Sequence, residues 1–333
     1  DIRFLKDRIR LDATYYNALT RDQIISLPIA ISSGYNQQVV NGGEVRTQGV
    51  ELIAAFTPVL TSNFKWNSIF NFSTSTSRVE SLPQADGRLT LAFSRIYDSA
   101  NQTVWFQVEE GGRIGDIYGT GYQKTEDGQF ILTDSGSYIA DNTLKKIGNY
   151  TPDFMLGWNN DFTYKNWNLN FLLDWRQGGE LVSRTRALGT VGGQLAETAN
   201  RPEEGIIPQG VVNVGTAADP QYVPNTTSVS AETYYRQFYD RNHEENNVYD
   251  ASFLKLRQFS VGYTFSFKDG FLGLSNGMDL NLALVGRNLF AISEIPHFDP
   301  EQLAVQGSGF VSGVEDMSYV TTRSIGLKAG FNF

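Results

Sequence analysis

The sequence contains no cysteine and only two histidines, His243 and His297, among its 333 residues. The absence of cysteine excludes disulfide frameworks, thiolate zinc sites and cysteine nucleophiles. Two histidines cannot build a histidine-rich metal centre, so we expect no metal site of that kind. The acidic loops do offer carboxylate and carbonyl oxygens, which leaves calcium open as a loop ligand. We expect no other cofactor.

Positive charge is also scarce, with 27 Lys and Arg against 36 Asp and Glu and a net charge of −9. A protein that binds nucleic acid must neutralise phosphates, and this balance argues against that role. Nucleophile and base residues with a usable spacing are lacking as well. The adjacent pairs Glu109-Glu110 and Glu203-Glu204 are typical of solvated loops rather than of acid/base dyads. We therefore predict neither nucleic-acid binding nor enzyme activity.

Long apolar runs are missing too, and the stretch Leu52 to Phe56 is among the richest. A membrane helix needs about 18 to 20 apolar residues. Transmembrane β-barrels have no such run because their strands alternate polar and apolar residues. The chain begins at Asp1 without Met or a signal peptide, and its alternation starts almost at once. We therefore expect it to be a piece of a longer protein.

Apolar and polar residues alternate in eight segments of about ten residues, the length that a tilted strand needs to cross a bilayer. The clearest segment runs from Trp167 to Arg176. The eight segments cover residues 9–15, 50–56, 64–73, 154–164, 167–176, 258–267, 279–287 and 324–333. Soluble sandwiches alternate in the same way, so this period does not by itself choose between lipid and a protein core.

The connections between these segments alternate between short and long. The short ones are residues 57–63, 165–166 and 268–277, and the long ones are residues 20–47, 79–153, 178–252 and 288–320. All short turns then lie at one end of the sheet and all long loops at the other. Outer-membrane barrels have this asymmetry, whereas compact soluble domains rarely contain several loops longer than about 15 residues. We predict an all-β fold, an antiparallel barrel segment with short periplasmic turns and long extracellular loops.

The two faces of the predicted strands carry different residues. The polar face, which we expect to line the lumen, carries Arg10, Asp12, Glu51, Lys65, Asp174, Arg176 and Lys328. The apolar face carries aromatic residues near the short turns, namely Phe56, Phe64, Trp66, Phe162, Tyr164, Trp167, Phe265, Phe267, Phe331 and Phe333. Aromatic rings favour headgroup depth, so we expect this belt to contact outer-membrane lipids at the interface. A soluble sandwich would instead distribute its aromatic residues along the whole strand.

Several short motifs occur in a characteristic order. They are Thr47-Gln48-Gly49-Val50-Glu51, Gly112 to Gly119 (GRIGDIYG), Ile147 to Phe154 (IGNYTPDF), Trp175 to Gly179 (WRQGG), Asp250 to Phe265, Gly286 to Phe290 (GRNLF) and Asp299-Pro300-Glu301. Taken together, they resemble the TonB-dependent receptors of the SusC and RagA branch. The resemblance runs from about Arg8 to Phe333. We expect structural roles for these motifs, with glycines such as Gly49, Gly262 and Gly286 at bends or close contacts.

The resemblance implies that residues 1–333 are the C-terminal portion of a plugged barrel of about 22 strands. The plug domain and the earlier strands would lie outside this chain. It further implies active import of oligosaccharides or oligopeptides across the outer membrane of a Gram-negative, Bacteroidota-type bacterium. The partners would be TonB, acting through the N-terminal region, and a SusD-like surface lipoprotein.

One loop is rich in aromatic and arginine residues, a composition typical of binding hot spots. It contains Tyr234, Tyr235, Arg236, Phe238, Tyr239 and Arg241. These side chains are candidates for contact with substrate or with the lipoprotein lid. The alternative is a loop that packs on itself and shields its own apolar surface.

Other interpretations of the whole chain remain open. Eight strands could close on their own into a small barrel, in which the lumen-facing charges pair with one another. A passive porin or a structural barrel would lack a plug. A secreted soluble β-sandwich with binding loops would bury its aromatic face inside the fold.

Overall fold

The computed structural model describes residues 1–28, 34–35, 37–83, 87–94, 104–240, 243–267, 278–301, 304–306 and 309–332. The strands are β1 (Ile2–Phe4), β2 (Ile9–Pro28), β3 (Gln37–Leu60), β4 (Phe64–Ser81), β5 (Arg88–Ser94), β6 (Val104–Glu109), β7 (Asp116–Tyr122), β8 (Ile131–Leu132), β9 (Ala140–Asn149), β10 (Phe154–Tyr164), β11 (Trp167–Gln177), β12 (Glu180–Ser183), β13 (Val211–Asn213), β14 (Tyr222–Pro224), β15 (Val248–Asp250), β16 (Phe253–Phe267), β17 (Met278–Ser293), β18 (Ala304–Gln306), β19 (Gly309–Val311), β20 (Val314–Glu315) and β21 (Ser324–Asn332). The helices are α1 (Arg184–Val191) and α2 (Ala231–Phe238), with 3₁₀ turns at Ala196–Ala199 and Glu244–Asn247.

A nine-stranded antiparallel sheet, here called the wall, follows the order β1-β2-β3-β4-β10-β11-β16-β17-β21. Its eight long strands coincide with the eight alternating segments, and β1 adds a three-residue edge hairpin. Every pairing between these strands is antiparallel. The all-β antiparallel prediction is confirmed.

The wall is open within the described residues. One edge is formed by β1 and by the residues of β2 beyond Leu11, and the other edge is β21. No described pairing joins the two edges. Leu327 on β21 is 89% exposed, and within the described residues β21 pairs with β17 on one side only. An open apolar edge is a template for further strand pairing. The described strands therefore do not form the small self-closed barrel that the sequence left open, and the total strand number of the whole barrel stays a prediction.

The short connections lie at one end of the wall. Strand β4 begins four residues after β3 ends, and Lys165 and Asn166 alone join β10 to β11. Lys165 adopts a φ of 51° at this tight turn. The third short connection, residues 268–277, lies outside the described residues.

The first long connection differs from its prediction as a loop. Within residues 20–47, β2 and β3 stay paired as far as Pro28 and Gln37, with no shift of register. At about 3.3 Å per residue, the 24-residue β3 is roughly 80 Å long, far longer than a membrane crossing. Ile25 and Leu27 pack on a buried cluster of Val79, Leu89 and Val108.

The remaining long connections also contain secondary structure. A four-stranded sheet, β5-β6-β7-β9, stands above the wall. Two three-stranded sheets join segments that are distant in sequence, and β18 pairs with β19 as a local hairpin. In one of these, β12 pairs in parallel with β20, and in another β13 pairs in parallel with β8. The most deeply buried hydrophobic residues lie mainly here, as in the cluster of Val104, Ile117, Val182 and Val314. The loops therefore form a packed assembly with its own cores.

The apolar face of the wall carries stacked aromatic rings. Trp66 lies on Phe162 with 5.4 Å between ring centroids, and Trp167 meets the ring of Tyr263 edge-on at 5.0 Å. The register places Tyr164, Phe267 and Phe331 on this same face, whereas Phe333 lies outside the described residues. Aromatic residues also continue along the strands, with Phe70 stacked on Trp158 and Phe154 against Trp175. Aromatic residues therefore occur along the strands as well as in the predicted belt near the short turns, and contact of the belt with lipid stays a prediction.

Candidate functional site

The residues predicted to face a lumen share one face of the wall. One transverse row runs through Lys65, Thr163, Asn168, Gly262, Ala283 and Lys328. Another runs through Asp12, Ile53, Asn71, Gly157 and Asp174. A third contains Glu51 and Arg176, and Arg10 lies two residues before Asp12 on β2. The register therefore brings all seven residues to one polar face, and the lumen contact itself stays a prediction.

Two concave areas lie on this polar face. One, of about 490 Å³, is lined by Asn168, Gln258, Ser260 and Asn281 together with the cations Arg287 and Lys328. The other, of about 510 Å³, is lined by Thr14, Asn71, Ser73 and the carboxylates Asp12, Glu51 and Asp174. The two areas carry opposite charge. Their amide and hydroxyl groups offer both donors and acceptors to a polar ligand.

An ion-pair network, here called the Lys255 network, joins the wall to the loop that follows β17. Lys255 pairs with Asp299 and, at 2.5 Å, with Glu301. Arg257 pairs with Glu301 and, at 2.6 Å, with Asp174 of β11. Burial alone would raise the pKa of Asp299, but hydrogen bonds from Lys255 and from the Glu301 backbone hold its pKa below the usual range. The network explains structurally why the motifs around Phe253 and Asp299 occur together.

Sequence reasoning missed Lys255 and Arg257 because a bulge shifts the period of β16. The register jumps between Leu256 and Gln258, so Arg257 has no direct partner on β17. Strict alternation from Phe259 would place both cations on the apolar face. The extra residue of a bulge reverses which face the residues on its other side occupy. Lys255 and Arg257 therefore both reach carboxylates on the polar side. Two cations at apolar positions were the available signal for this bulge.

The motifs around Asp116 and Asn149 meet in one buried hydrogen-bonded centre, here called the Asp116 centre. Asp116 accepts hydrogen bonds from Asn149 Nδ2 at 2.7 Å and from the Arg113 amide at 3.1 Å. Lys146 Nζ lies 2.6 Å from the same carboxylate. Glu180 accepts from the Asn149 amide at 2.7 Å. The centre fastens the four-stranded sheet to the segment that follows β11.

The WRQGG motif completes this attachment. Arg176 Nη2 donates to the Tyr150 carbonyl at 2.8 Å. Gly178 and Gly179 adopt φ values of 74° and 79°, a region that favours glycine. A Cβ on Gly178 would lie 2.4 Å from Asp153 Oδ2, and one on Gly179 would lie 2.6 Å from Arg176 Nη2. The expected structural role of these glycines is consistent with this geometry.

The aromatic loop packs largely on itself and on its neighbours. Tyr234 and Phe238 pack against a buried cluster of Tyr122, Leu132 and Tyr138. Tyr235 is buried and its hydroxyl donates to the Asn200 carbonyl at 3.1 Å. Tyr239 stacks on the guanidinium of Arg186, 4.5 Å from its ring centroid. Burial raises the pKa of Tyr234 and of Tyr138. The self-packed alternative therefore accounts for the four aromatic residues.

Arg236 is the exposed member of the described set, and it pairs with Glu232 at 3.1 Å. Arg241 lies outside the described residues. Contact of this loop with a substrate or a lid stays a prediction, and Arg236 is its best placed candidate.

Buried polar groups also connect the loops that follow β11 and β17. Glu315 accepts hydrogen bonds from Ser183 Oγ at 2.9 Å and from Thr185 Oγ1 at 2.6 Å. Arg184 pairs with Asp316 at 2.9 Å. Arg186 lies between the rings of Tyr239 and Tyr249, and burial raises the pKa of Tyr249 to about 12. These contacts hold the loops as one assembly.

Among the residues that the structure describes, no group of three or more His, Asp or Glu side chains is arranged to hold a metal ion. Calcium binding by the acidic loops stays a prediction. In the same described part, none of the helices has the length and apolar character needed to cross a membrane.

Comparisons with known proteins agree with this architecture. The family described as TonB dependent receptor-like, beta-barrel matches residues 1–174, just over half of the chain. Among curated proteins, the chain is similar to TonB-dependent receptor P3 of Formosa agariphila, with 26% identity covering 90% of this chain and 30% of that protein. TonB-dependent receptor P39 of the same organism is 24% identical, covering 99% of this chain and 35% of that protein. The chain spans about a third of the length of these relatives.

Solved structures show the same fold. The RagAB peptide transporter superposes with a TM-score of 0.62 at 18% identity, covering 98% of this chain and 33% of that chain. The RagAB peptide importer in its open-open state gives a TM-score of 0.63 at 17% identity, covering 98% of this chain and 32% of that one. At this identity the likeness concerns the fold alone.

Proposed function

This chain belongs to the TonB dependent receptor-like β-barrel family, and we propose that it forms the C-terminal wall and extracellular loops of an active importer. The importer would take up oligosaccharides or oligopeptides across the outer membrane of a Gram-negative, Bacteroidota-type bacterium. TonB would supply the energy through an N-terminal region that also carries the plug. A SusD-like surface lipoprotein would cover the loops as a lid.

The observation that carries this proposal is the wall with two unlike faces. Its apolar face has no covering sheet within the described residues, and Trp167 on it is 52% exposed. Its opposite face carries the charged rows and the two concave polar areas. An apolar outer face with a polar inner face is the pattern of a membrane barrel with a hydrated interior. A soluble sandwich would cover the apolar face with a second sheet.

The loop assembly supports the external part of the proposal. The Lys255 network and the Asp116 centre fix the loops rigidly above one end of the wall. Binding residues need a rigid scaffold to hold them in place. We infer that the loops form a mouth that selects the substrate before it enters the barrel.

The orientation of the wall is tested by two neighbouring substitutions on β17. Leu284 faces the apolar side and is 45% exposed, whereas Val285 faces the polar side. A lysine at the bilayer midplane of a barrel costs about 2–4 kcal/mol, and one in the lumen costs little. We expect Leu284→Lys to block membrane assembly and Val285→Lys to leave it intact. Equal tolerance of both variants, measured by recovery from purified outer membranes, would contradict the membrane orientation.

The transport activity is tested by uptake in the native bacterium. Labelled oligosaccharide and oligopeptide mixtures would be offered to wild-type cells, to cells lacking the gene and to cells lacking TonB. We expect one substrate class to be lost from both mutants. Uptake that depends on the gene but persists without TonB would instead indicate the passive porin. Recovery of the intact chain in the aqueous fraction would indicate the secreted protein.

A further inference from the structure

A cavity of about 270 Å³ lies in the loop assembly between α1 and α2, away from the polar face of the wall. Its lining includes Gly193, Thr198, Arg201, Ala231, Tyr235 and Arg236. Thr198 and Tyr235 are buried and form a fixed floor. Tyr235 and Arg236 belong to the loop that the sequence offers for substrate contact, whereas Arg201 is not among the predicted site residues.

The guanidinium of Arg201 is held in place at the cavity. Its Nε donates to the Thr198 carbonyl at 2.7 Å, and its Nη2 donates to the Gly193 carbonyl at 2.6 Å. Gly193 has a φ of 65°, and a Cβ there would approach Arg201 Nη2 to 3.0 Å. These bonds leave Nη1 available to a ligand. In the described part of the chain, no carboxylate lies within ion-pair distance of Arg201.

The start of α2 adds further donors. Ala231 and Glu232 line the cavity, and the Ser230 hydroxyl satisfies only the Thr233 amide. The other amides of a first helical turn have no acceptor within the helix, and the helix dipole favours negative charge there. Arg236 lies one turn further along and is bound by Glu232 at 3.1 Å, so Arg201 is the cation without a charged partner. A fixed guanidinium beside a helix start suits a planar anion.

We propose that this cavity binds a carboxylate group of the imported compound, with Arg201 as the principal contact. The inference rests on the proposed import function, because that function supplies an external ligand. A carboxylate matches the geometry of guanidinium donors and forms charge-assisted hydrogen bonds with them. It can come from the C-terminus of a peptide or from an acidic sugar. The shared chemistry is the carboxylate.

The test measures acetate binding to the purified full-length protein in detergent, by saturation-transfer NMR with acetamide as the neutral probe. We expect acetate to bind and acetamide not to bind. Arg201→Gln should weaken acetate binding at least tenfold, and Arg201→Lys should weaken it less, because lysine keeps the charge but loses the fork. The matched control is Arg323→Gln, which removes an exposed arginine outside the cavity and should change nothing.

The structural alternative is that Arg201 only caps the end of α1. Amide hydrogen exchange across residues 184–201 separates the two roles, since a cap predicts equal loosening in Arg201→Gln and Arg201→Lys. Acetate binding that is unchanged in Arg201→Gln, or no stronger than acetamide binding, would overturn the proposal.

The source of the carboxylate is then read from two matched probe pairs. Alanyl-alanine is compared with its C-terminal amide, and glucuronic acid with glucose. A preference in the first pair indicates a peptide ligand, and a preference in the second indicates an acidic glycan. Binding requires no energy source, so failure here leaves the uptake experiment unaffected. If wild-type cells show no TonB-dependent uptake but the purified protein still binds acetate, the import function is rejected and the carboxylate site remains supported.

Discussion

Asn149 Nδ2 donates a hydrogen bond of 2.7 Å to the carboxylate of Asp116, and both side chains are buried. The two residues belong to motifs that lie 33 positions apart in the sequence. Their contact shows that these motifs form one structural unit above the wall. The unit sets the position of the four-stranded sheet and through it the shape of the loop assembly.

Replacement of Asp116 by alanine should loosen this sheet. The substitution leaves Lys146 and Asn149 without their acceptor. Lys146 is 46% exposed and can be solvated, so the loss falls mainly on the buried hydrogen bond of Asn149, at about 1–3 kcal/mol. We expect faster amide exchange in β6, β7 and β9 and an unchanged rate in β10 and β11. Asp134→Ala, at an exposed aspartate in the same connection, serves as the control. Uniform exchange changes in both variants would contradict the role of the Asp116 centre.

The Lys255 network should behave as a coupled unit. The side chain of Lys255 is 4% exposed, so Asp299→Asn removes a charge partner from a nearly dry ammonium group. We expect a loss of about 3 kcal/mol in the local stability of the segment after β17. The double variant with Lys255→Met should recover part of this loss, because the buried charge is then gone as well. Additive losses in hydrogen exchange or in denaturant unfolding would show that the residues act independently.

The same network predicts how acid affects the loops. Although burial opposes ionisation, hydrogen bonds from Arg257 and Lys255 hold the pKa of Glu301 below its usual value, and a hydrogen bond from Lys255 does the same for the pKa of Asp299. Their stabilisation is therefore fully present above the unfolded pKa of about 4 and is lost as the pH falls through the lower folded values. We expect exchange of residues 294–301 to accelerate below about pH 4, after correction for the intrinsic rate. In Asp299→Asn this acceleration should be smaller.

Sequence reasoning succeeds where one period controls the structure. From Trp167 to Arg176 the residues alternate between the apolar and the polar face of the wall, and the face of Asp174 follows directly. It fails at Arg257, because one bulge residue reverses the alternation, and the sole sign of the bulge in the sequence is a pair of cations at positions expected to be apolar. It also fails at Ile25, where the strand extends beyond the alternating segment and packs on a buried cluster around Val79. Tyr234 illustrates a third limit, since aromatic composition predicts a buried cluster and a binding surface equally well.

The glycine pair after β11 should not tolerate a side chain. An alanine at Gly178 would adopt an unfavourable φ of 74° and place its Cβ 2.4 Å from Asp153 Oδ2. We expect Gly178→Ala to cost about 1–3 kcal/mol and to loosen the hydrogen bond between the Asp153 amide and the Gln177 carbonyl. Gly326→Ala is the matched control, because nothing lies within 4 Å of the added Cβ. Comparable denaturation midpoints for both variants would contradict the expected strain.

Two polar side chains lie on the apolar face of the wall beneath indole rings. Trp158 Nε1 donates to Ser68 Oγ at 2.8 Å, and Trp66 Nε1 donates to Asn160 Oδ1 at 3.0 Å. Asn160 is 0% exposed, so its side-chain oxygen Oδ1 depends on the indole N–H of Trp66 for its hydrogen bond. In a hydrocarbon environment a polar group without a partner is costly. These indoles therefore have a hydrogen-bonding role in addition to packing.

The Trp158–Ser68 pair allows this role to be measured as a coupling free energy. Trp158→Phe should destabilise the wall by about 1–3 kcal/mol, since Ser68 loses its donor as well as packing area. In the double variant with Ser68→Ala, part of this loss should disappear, with a coupling of about 1 kcal/mol by analogy with hydrogen bonds inside membranes. Trp167→Phe, at a half-exposed indole of the same face, should show no coupling to Ser68→Ala. The measurement is reversible urea unfolding in lipid vesicles, and strictly additive losses for Trp158 and Ser68 would reduce the indole to a packing group.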